Sequence, residues 1–485
     1  MKTKVVLFVL LVICSVVFSF SGGDGSESSP YLISNKWELN DVNYDLDAHY
    51  ALANDIDDAG GSGAVIAPDN YASGISFYGI PFSGTFDGRG YKLTSLSVVN
   101  YSDNMFYTGL FGQIAPTGVV KNLIIENCTI NSVTQFTGGI CAYNDGGTIT
   151  NCRVSGTISG TYAVGGITGH NELGLIDECI SECTLNADGY CGGLTGEDIE
   201  GVYNNCGTDC QINVSSERAG GLIGSAGDNI WGGDGCTVYQ CTASGEINNQ
   251  GNYSGGLGGK MYKSSFEQCY SVASVRGTGS DSDYIGGLCG FGYYATITDC
   301  YNLGSVSGEG ATSDFVGGLA GYCYSGSAVN NCYTVASVSC SNPSPSHLAP
   351  AIGYRYGSQI TNCFWDSDVC LLASDNYATA LNTAGMQTLS SFTGAGWDFV
   401  GETTNGTDDT WWMSAYGGYP KLDWQLKPMG MDKYNLMAMY WGQTGCTPGT
   451  DCYDADWYRD GTIDENDLVR LSMSWLDKEI LIYEP

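Results

Sequence analysis

The chain has 485 residues, of which 70 are glycine, 33 are tyrosine and 14% are charged. Its apolar and aromatic content is too high for a disordered chain, so the sequence predicts a packed core. The 52 acidic and 18 basic residues give a formal net charge of −34, which phosphate backbones would repel, and this argues against nucleic acid as a partner. Such a charge is typical of a solvated acidic surface, with attraction for divalent cations as the alternative.

Residues 1–21 have the pattern of a secretory signal peptide. Lys2 and Lys4 precede an apolar run from Val5 to Val17, and small and aromatic residues follow it. This run is too short, and has the wrong flanks, for a lasting membrane span. We therefore expect a secreted or cell-surface protein with no membrane span in the mature chain, in a compartment where disulfides persist.

The motifs divide the remainder into four parts. Residues 22–106 are expected to form an N-terminal cap and the first coils, residues 107–366 a repeat region, residues 367–425 a C-terminal cap and residues 426–485 a separate module.

Two short elements recur through the repeat region. One is a Gly-Gly pair before Leu or Ile, which starts at Gly138, Gly165, Gly192, Gly220, Gly255, Gly286 and Gly317. The other is a polar residue before a cysteine, at Cys128, Cys152, Cys179, Cys206, Cys241, Cys269, Cys300, Cys332 and Cys363. From the first to the last of these cysteines is 235 residues in eight steps, an average of about 29, which is in the range of repeat architectures.

Alternation after each cysteine predicts strands. Cys152, Val154 and Ile158 share one face, while the polar residues between them share the other. Short strands of this kind bury a continuous core only when successive coils stack. The sequence therefore predicts an all-β fold, a right-handed parallel β-helix of nine or ten coils spaced about 4.8 Å apart.

The repeated residues have expected roles in such a stack. The glycine pairs would allow a tight turn or a close approach of two backbones. The polar residue before each cysteine would stack into an amide-rich ladder at a bend, and the cysteines would form an inward ladder. Free thiols packed as small apolar groups and disulfides between coils both remain open. Off-ladder pairs such as Cys179 with Cys183, or Cys206 with Cys210, are better placed in loops to pair locally, although connectivity does not follow from sequence.

The recurring unit GGL…G…I…NC…G.V resembles the GLUG motif of secreted and surface bacterial proteins. Around it, SPYLISNKWELNDVN and FSGTFDGRGYKLTSLSV resemble the usual lead-in, and NCFWDSD followed by TAGMQTLSSFTGAGWDFV resembles the usual exit. The resemblance extends over residues 30–424. It implies that a short helix over residues 384–389 and the indoles of Trp365, Trp397 and Trp412 close the core, and such caps also cover sheet edges.

The pattern changes after Trp424, where two segments with helical apolar spacing flank the acidic stretch DADWYRDGTIDEND. Two such helices around a Gly-containing acidic loop are typical of a calcium site. If Asp460 and Gly461 are loop positions 5 and 6, the Ca²⁺ ligands are predicted to be Asp456, Asp460, Thr462, Asp464 and Asp467. Tyr458 at position 3 departs from the pattern, and a small helical hairpin with an acidic turn is the alternative.

This module also resembles a dockerin-type repeat of the kind that ends many exported bacterial proteins. The resemblance implies docking to a cohesin-like partner or anchoring. Dockerins carry two calcium loops, whereas one is recognisable here, so the match is partial.

Motifs for catalysis are absent from the sequence. The three histidines, His49, His170 and His347, lie in no HExxH motif, and no G-x-S-x-G or P-loop is present. The adjacent acidic pairs Asp57–Asp58 and Asp408–Asp409 would point in opposite directions on a strand, unlike the paired carboxylates of a glycosidase. We therefore expect no catalytic residues and no enzyme activity.

A binding surface is the better hypothesis. Outward aromatic side chains with Asn and Asp on long loops can hold sugars or proteins. The longest insertions lie between Cys206 and Cys241, with Trp231 and Tyr239, and at residues 281–284 and 341–347. The expected function is a non-catalytic adhesin, structural protein or binding scaffold with an unknown protein or glycan ligand; the alternative is a component of polysaccharide degradation.

Overall fold

The computed structural model describes residues 20–57, 66–69, 77, 79–100, 106–133, 135–227, 233–414, 418–425 and 444. The chain divides into two compact units, residues 1–386 and 387–485. Most of the signal peptide and of the C-terminal module lies outside the described residues, and so do all the predicted calcium ligands: Asp456, Asp460, Thr462, Asp464 and Asp467. Within the described part of the chain, no helix is long and apolar enough to cross a bilayer.

The first unit consists of four parallel sheets, to each of which successive coils contribute strands. The GG sheet holds the seven strands that end at the first glycine of a pair: Phe136–Gly138, Ala163–Gly165, Tyr190–Gly192, Arg218–Gly220, Ser254–Gly255, Ile285–Gly286 and Val316–Gly317. The equivalent strands Tyr107–Thr108 and Leu348–Ala349 lie at its two edges. The post-GG sheet comes next in each coil: Phe111–Ile114, Cys141–Asp145, Thr168–Glu172, Thr195–Ile199, Ile223–Ala226, Gly258–Tyr262, Cys289–Tyr293, Ala320–Tyr324 and Ile352–Tyr356.

The other two sheets lie before and after the cysteine of each coil. The pre-Cys sheet has the strands Tyr31–Ile33, His49–Leu52, Thr85–Asp87, Val119–Lys121, Thr148–Thr150, Leu175–Asp177, Val202–Asn204, Thr237–Tyr239, Ser265–Glu267, Thr296–Thr298, Ala328–Asn330 and Gln359–Thr361. The post-Cys sheet has the strands Ile56–Asp57, Lys92–Thr94, Ser97–Asn100, Ile124–Ser132, Arg153–Gly160, Ile180–Ala187, Gly207–Val214, Thr242–Asn249, Tyr270–Ser271, Ser274–Gly277, Tyr301–Asn302, Val306–Gly308, Tyr333–Thr334, Val338–Cys340, Phe364–Asp366 and Thr379–Leu381.

The predicted all-β parallel solenoid is confirmed. The GG sheet has nine strands, one for each coil of the repeat region. Helices in this unit are short: Lys36–Asp41, continued by the 3₁₀ turn Val42–Tyr44, and Thr383–Met386. Asn35 caps the first, since its side chain accepts hydrogen bonds from the backbone of Trp37 and Glu38.

Alternation along the strands fills the core. The Leu or Ile after each glycine pair is buried, and so is the central residue of the pre-Cys strands from Val120 to Val329. Each such aliphatic side chain contributes about 1.5–3 kcal/mol through the hydrophobic effect. At the last coil, the Asp375 carboxylate accepts hydrogen bonds of 2.9 Å from the backbone of both Ala351 and Ile352, donors that a further coil would otherwise satisfy.

The second glycine of each pair is required by the approach of one coil to the next. A Cβ on Gly193 would overlap the carbonyl oxygen of Gly221, and a Cβ on Gly221 would overlap that of Gly256. The same relation links Gly256 to Gly287 and Gly287 to Gly318. Of the two roles expected for these glycines, close backbone approach is therefore the one that this position uses.

The polar residue before each ladder cysteine lies at a left-handed bend. From Asn151 to Asn362 the φ values of these residues are between 50° and 53°, a region that Asn tolerates better than most residues do. Parts of the predicted amide ladder form: Asn151 donates to Asn122 at 2.8 Å, and Gln240 donates to Gln268 at 2.9 Å.

The prediction for Cys128 is wrong. The register shifts between Ile125 and Cys128, so Asn122 and Leu123 take the ladder positions while Cys128 pairs with Gly156. Cys128 instead belongs to a second inward column with Cys183 and Cys210, which lie inside strands and not in loops. The placement of Cys183 and Cys210 in loops is therefore also wrong, and neither forms a local disulfide with Cys179 or Cys206.

All 18 described cysteines are free thiols. In the ladder, Cys206 Sγ donates to the carbonyl of Asn204 at 3.2 Å and accepts from the backbone N–H of Cys179 at 3.4 Å. Burial raises the pKa of Cys128 to about 12 and that of Cys210 to about 11. Cys128 and Cys210 therefore pack as small, unreactive core groups.

The second unit has a small aromatic core of its own. It contains the helix Leu389–Thr393, the antiparallel strands Trp411–Trp412 and Lys421–Leu422, and the 3₁₀ turn Asp423–Gln425. Trp397 packs against Trp411 with ring centroids 4.5 Å apart. The single helix expected over residues 384–389 is thus two short helices, and Trp365 belongs instead to the core of the first unit.

We predict that Gly193→Ala lowers the free energy of unfolding by about 1–3 kcal/mol, because the new methyl group must displace the backbone of the next coil. Gly207→Ala is the matched control: Gly207 shares an outward column with Ile180 and Thr242, and a Cβ there lies 3.4 Å from its nearest neighbour. Urea unfolding should place the control within about 0.5 kcal/mol of the parent protein. Equal losses in the two variants would contradict the packing role of the pair.

Candidate functional site

Three columns of outward side chains form a surface along the solenoid, which we call the aromatic face. The corner column lies at or just before the GG strands: Tyr107, Phe136, Ala163, Tyr190, Arg218, Tyr253, Tyr284, Phe315 and His347. The middle column lies on the post-GG sheet: Gln113, Tyr143, His170, Glu197, Ser225, Lys260, Phe291, Tyr322 and Tyr354. The outer column follows two residues later and includes Asp145, Glu172, Ile199, Tyr262, Tyr293, Tyr324 and Tyr356.

Rings in the later coils stack along the corner column. The centroids of Tyr253 and Tyr284 are 5.0 Å apart, those of Tyr284 and Phe315 are 4.9 Å apart, and those of Phe315 and His347 are 4.3 Å apart. The interplanar angles are 12°, 16° and 7°. Because each ring covers the next, the column presents ring edges and hydroxyl groups to solvent, and not ring faces.

The backbone under this stack is strained. Tyr253, Tyr284 and Phe315 have φ values of 65°, 61° and 57°, a left-handed conformation that costs a bulky residue about 1–2 kcal/mol. Such strain persists only where surrounding contacts impose it, and it is concentrated at functional sites.

A ladder of side-chain acceptors imposes this conformation. Asn252 accepts from the backbone of Asp283 at 2.8 Å, and Asp283 accepts from Asp314 at 2.7 Å. Asp314 accepts in turn from both the backbone and the ring of His347, at 2.7 and 2.9 Å. Each residue before a stacked ring therefore binds the backbone of the next coil.

The middle and outer columns extend the aromatic surface sideways. The ring centroids of Phe291 and Tyr322 lie 5.5 Å apart, and those of Tyr322 and Tyr354 lie 5.3 Å apart. In the outer column, the ring centroids of Tyr293 and Tyr324 lie 5.2 Å apart. Tyr356 is 58% exposed, so its ring is open to solvent.

In the earlier coils the same columns carry titratable groups. Tyr143 donates to the Glu172 carboxylate, and His170 Nδ1 lies 3.2 Å from Glu197. Gln113 donates to Asp145 at 2.9 Å. Burial, followed by repulsion from Glu172, raises the pKa of Asp145. This end of the face holds two carboxylates around one imidazole.

Cations occupy the centre of the face. The Arg218 guanidinium lies 4.1 Å above the Tyr190 ring and donates to Ser225 at 2.8 Å. Lys260 lies next to Ser225 in register, with its ammonium 5.8 Å from the Tyr253 centroid. Arg218, Ser225 and Lys260 separate the end of the face that carries titratable groups from its aromatic end.

The structure brings together several residues that the sequence singled out separately. The insertions at residues 281–284 and 341–347 are linked in the corner column through Phe315, whose ring stacks on both Tyr284 and His347, and His170 lies in the middle column. His49 and Tyr239 lie on the pre-Cys sheet, away from this face. Trp231 lies outside the described residues.

The middle and outer columns were not predicted from the sequence. Their signal is a pair of alternating aromatic residues that begins three residues after GGL, as in Phe291 and Tyr293 or Tyr322 and Tyr324. No group of three His, Cys, Asp or Glu side chains among the described residues could hold a metal ion.

A buried polar ladder lies directly beneath the face. Asn144 donates to Asn171 at 2.8 Å, and Asn171 donates to Asp198 at 2.9 Å. The hydroxyl of Tyr203 donates to the same carboxylate at 2.6 Å. All four side chains are fully buried, and burial raises the pKa of Asp198 to about 6.

One known protein family matches the repeats of this solenoid. A family model described as the GLUG motif matches residues 137–159 and 281–307. The chain carries GLUG-motif repeats. Each matched segment covers one coil, from its GG strand to its post-Cys strand, so the motif is a unit of the solenoid.

Two curated relatives match part of the chain. Halomucin of Haloquadratum walsbyi is 32% identical over 145 residues, which are 28% of this chain and 2% of the relative. A "Putative Gly-rich membrane protein" of Evansella cellulosilytica is 32% identical over 144 residues, which are 28% of this chain and 15% of the relative. The chain thus spans a small fraction of either relative.

Among solved structures, a "putative immunoglobulin A1 protease" from Bacteroides ovatus is similar over 84% of this chain and 95% of that chain. The identity is 18% and the TM-score is 0.30. A similarity at this level indicates neither the activity nor the ligand of the GLUG-repeat chain.

We predict that Asp198→Asn removes a pH-dependent loss of stability. The folded-state pKa is raised from 3.8 to about 6, so the charged form is disfavoured in the fold. The contribution of this group to the free energy of unfolding is therefore fully present below pH 3.8 and decreases until the pH passes 6. The total decrease is about 3 kcal/mol, of which roughly 1 kcal/mol falls between pH 5 and 7.

Urea unfolding at pH 5, 6 and 7 measures this effect as the difference between variant and parent protein. The exposed Asp209→Asn is the control and should leave the pH dependence unchanged. A parallel pH dependence in Asp198→Asn and the parent would show that Asp198 is ionised in the fold at pH 5.

Proposed function

We propose that this GLUG-repeat protein is a non-catalytic binding scaffold, secreted or held at the cell surface, whose aromatic face binds a glycan. The observation that carries the proposal is the continuity of the face, in which aromatic and polar side chains recur at every coil. Aromatic side chains with hydroxyl and amide groups beside them favour ligands that have both apolar and hydrogen-bonding surfaces, and sugars are such ligands.

The rigidity of the face supports this function. Its rings are held by stacking and by the acceptor ladder of Asn252, Asp283 and Asp314, so binding need not order them. Regular spacing along the axis also suits a polymer with repeating units better than a single small molecule. The name of the Evansella relative, a membrane protein, and the predicted signal peptide support a place outside the cytoplasm.

We predict that the double variant Tyr293→Ala/Tyr324→Ala binds its best glycan at least about tenfold more weakly, because two adjacent rings of the outer column are lost. Tyr270→Ala is the matched control, since this tyrosine stacks on Tyr301 in the post-Cys sheet, away from the face. A glycan array followed by titration calorimetry gives the affinities. Unchanged binding by the double variant, or equal loss in the control, would contradict the proposal.

Polysaccharide degradation is the second candidate function. The cluster of Glu172, Glu197 and His170 at one end of the face favours it, because two carboxylates on one surface are the groups that glycoside hydrolysis uses. A reducing-sugar assay on the glycans that bind separates the two functions. If the parent protein cleaves a bound glycan and Glu172→Gln does not, the protein is an enzyme and not a binding scaffold.

The C-terminal module adds a further proposal, a calcium-stabilised dockerin-like hairpin that docks or anchors the chain to a cohesin-like partner. The loop spacing of Asp456, Asp460, Thr462, Asp464 and Asp467 supports it.

We predict that the full chain binds one Ca²⁺ through this loop and that Asp460→Ala/Asp464→Ala abolishes the binding, because two carboxylate ligands are removed. Titration calorimetry with CaCl₂ measures the heat. Asp432→Asn, in the same module but outside the loop, should bind as the parent does. Absence of calcium-dependent heat in the parent protein would show that the predicted calcium site does not exist.

A further inference from the structure

The centre of the aromatic face differs from both of its ends. Here Arg218 interrupts the rings of the corner column, and Ser225 and Lys260 interrupt the middle column. We call these three residues the central break. Tyr190 precedes the break and Tyr253 follows it in the corner column, so rings flank it on both sides along the axis.

Arg218 is held in position before any ligand arrives. Its side chain is 18% exposed, its guanidinium stacks on Tyr190, and one N–H binds Ser225. Its Nε is buried and has no hydrogen-bond partner, with the Glu217 carboxylate 3.8 Å away. One N–H donor of this guanidinium therefore has no acceptor, although an unsatisfied buried donor costs about 1–3 kcal/mol.

Lys260 brings a second positive charge to the same place. Ser225 and Lys260 are register partners on adjacent strands, about 4.8 Å apart along the axis. The Lys260 ammonium lies 5.8 Å from the Tyr253 centroid. Arg218 and Lys260, from neighbouring coils, are thus both neighbours of Ser225, the first through a hydrogen bond and the second through strand register.

Two acidic side chains lie close to the break. Glu197 precedes Ser225 in the middle column, but its carboxylate is bound to His170 at 3.2 Å. Glu217 is half exposed and makes a loose 3.8 Å contact with Arg218. In a chain with 52 acidic and 18 basic residues, two adjacent cations between aromatic rings form an unusual local site.

We propose that the central break is a subsite for the carboxylate of an acidic sugar, so that the aromatic face binds a uronic-acid polysaccharide lying along the solenoid axis. This inference rests on the proposed glycan-binding function and names the ligand class. A planar guanidinium matches a carboxylate through parallel hydrogen bonds, and a lysine beside it adds attraction. The ring of Tyr253, which follows the break and is partly exposed, contacts the neighbouring sugar unit.

The test compares the binding of the full chain to three uronic-acid polymers, galacturonan, alginate and hyaluronan, with binding to the carboxyl-reduced form of each. We expect at least one acidic polymer to bind tenfold or more tightly than its reduced form, with a preference that weakens as salt rises. Arg218→Gln/Lys260→Gln should bind both forms with the affinity of the reduced form. Arg153→Gln is the control, because this arginine pairs with Glu182 on the post-Cys sheet, and it should keep the preference.

The outcomes separate this inference from the proposed function. If acidic and reduced polymers bind equally, and Tyr293→Ala/Tyr324→Ala weakens both, the carboxylate subsite is wrong while the glycan-binding face stands. If the acidic preference survives in Arg218→Gln/Lys260→Gln, or if sulfated glycans bind more tightly than uronates, the subsite is also wrong. If no glycan binds, both proposals fail.

Discussion

Stacking of one coil directly on the next is the interaction on which the rest of this structure depends. Each coil donates and accepts backbone hydrogen bonds across two neighbours, in register, over four parallel sheets. At the second glycine of each pair, the carbonyl of the following coil occupies the space that a Cβ would take. Any side chain there would separate the coils locally and weaken the hydrogen bonds on either side. The repeated glycines therefore set the register of everything attached to the strands.

A fixed register converts sequence repeats into columns of side chains. Inward columns become the core, including the second cysteine column, in which burial raises the pKa of Cys128 and Cys210. Outward columns become extended surfaces in which equivalent positions of successive coils touch. The stacked rings of Tyr253, Tyr284 and Phe315 come from residues about 31 positions apart, yet their centroids lie about 5 Å apart. The strained bends beneath these rings are held because each Asn or Asp before a ring binds the coil above. Function on this scaffold is thus a property of columns, and a single residue contributes through the neighbours that stacking gives it.

The fold could be predicted from the sequence because its signals are local and repeated. Period-2 alternation after each cysteine and the glycine pairs between strands leave few alternatives to a parallel solenoid. The failures arose where one coil departs from the repeat. The Asn127–Cys128 pair has the repeat's local signature, but a register shift after Ile125 moves it to the second column, and only the pairing between strands reveals the shift. The aromatic face was missed for a similar reason, since its residues are distant in sequence and their shared direction depends on which residues of each coil lie in register.

By itself the sequence determined the class of fold, the number of coils, the inward position of most cysteines and the need for glycine between strands. Each of these follows from short-range chemistry: alternation of apolar residues, a residue without a Cβ, and a polar residue suited to a left-handed bend. Only the tertiary structure decided which outward residues meet. Contacts between coils depend on the length of each loop and on shifts of a single residue, which change the direction of every side chain that follows. The Arg218, Ser225 and Lys260 cluster and the rings around it therefore exist as a site only after the coils have stacked.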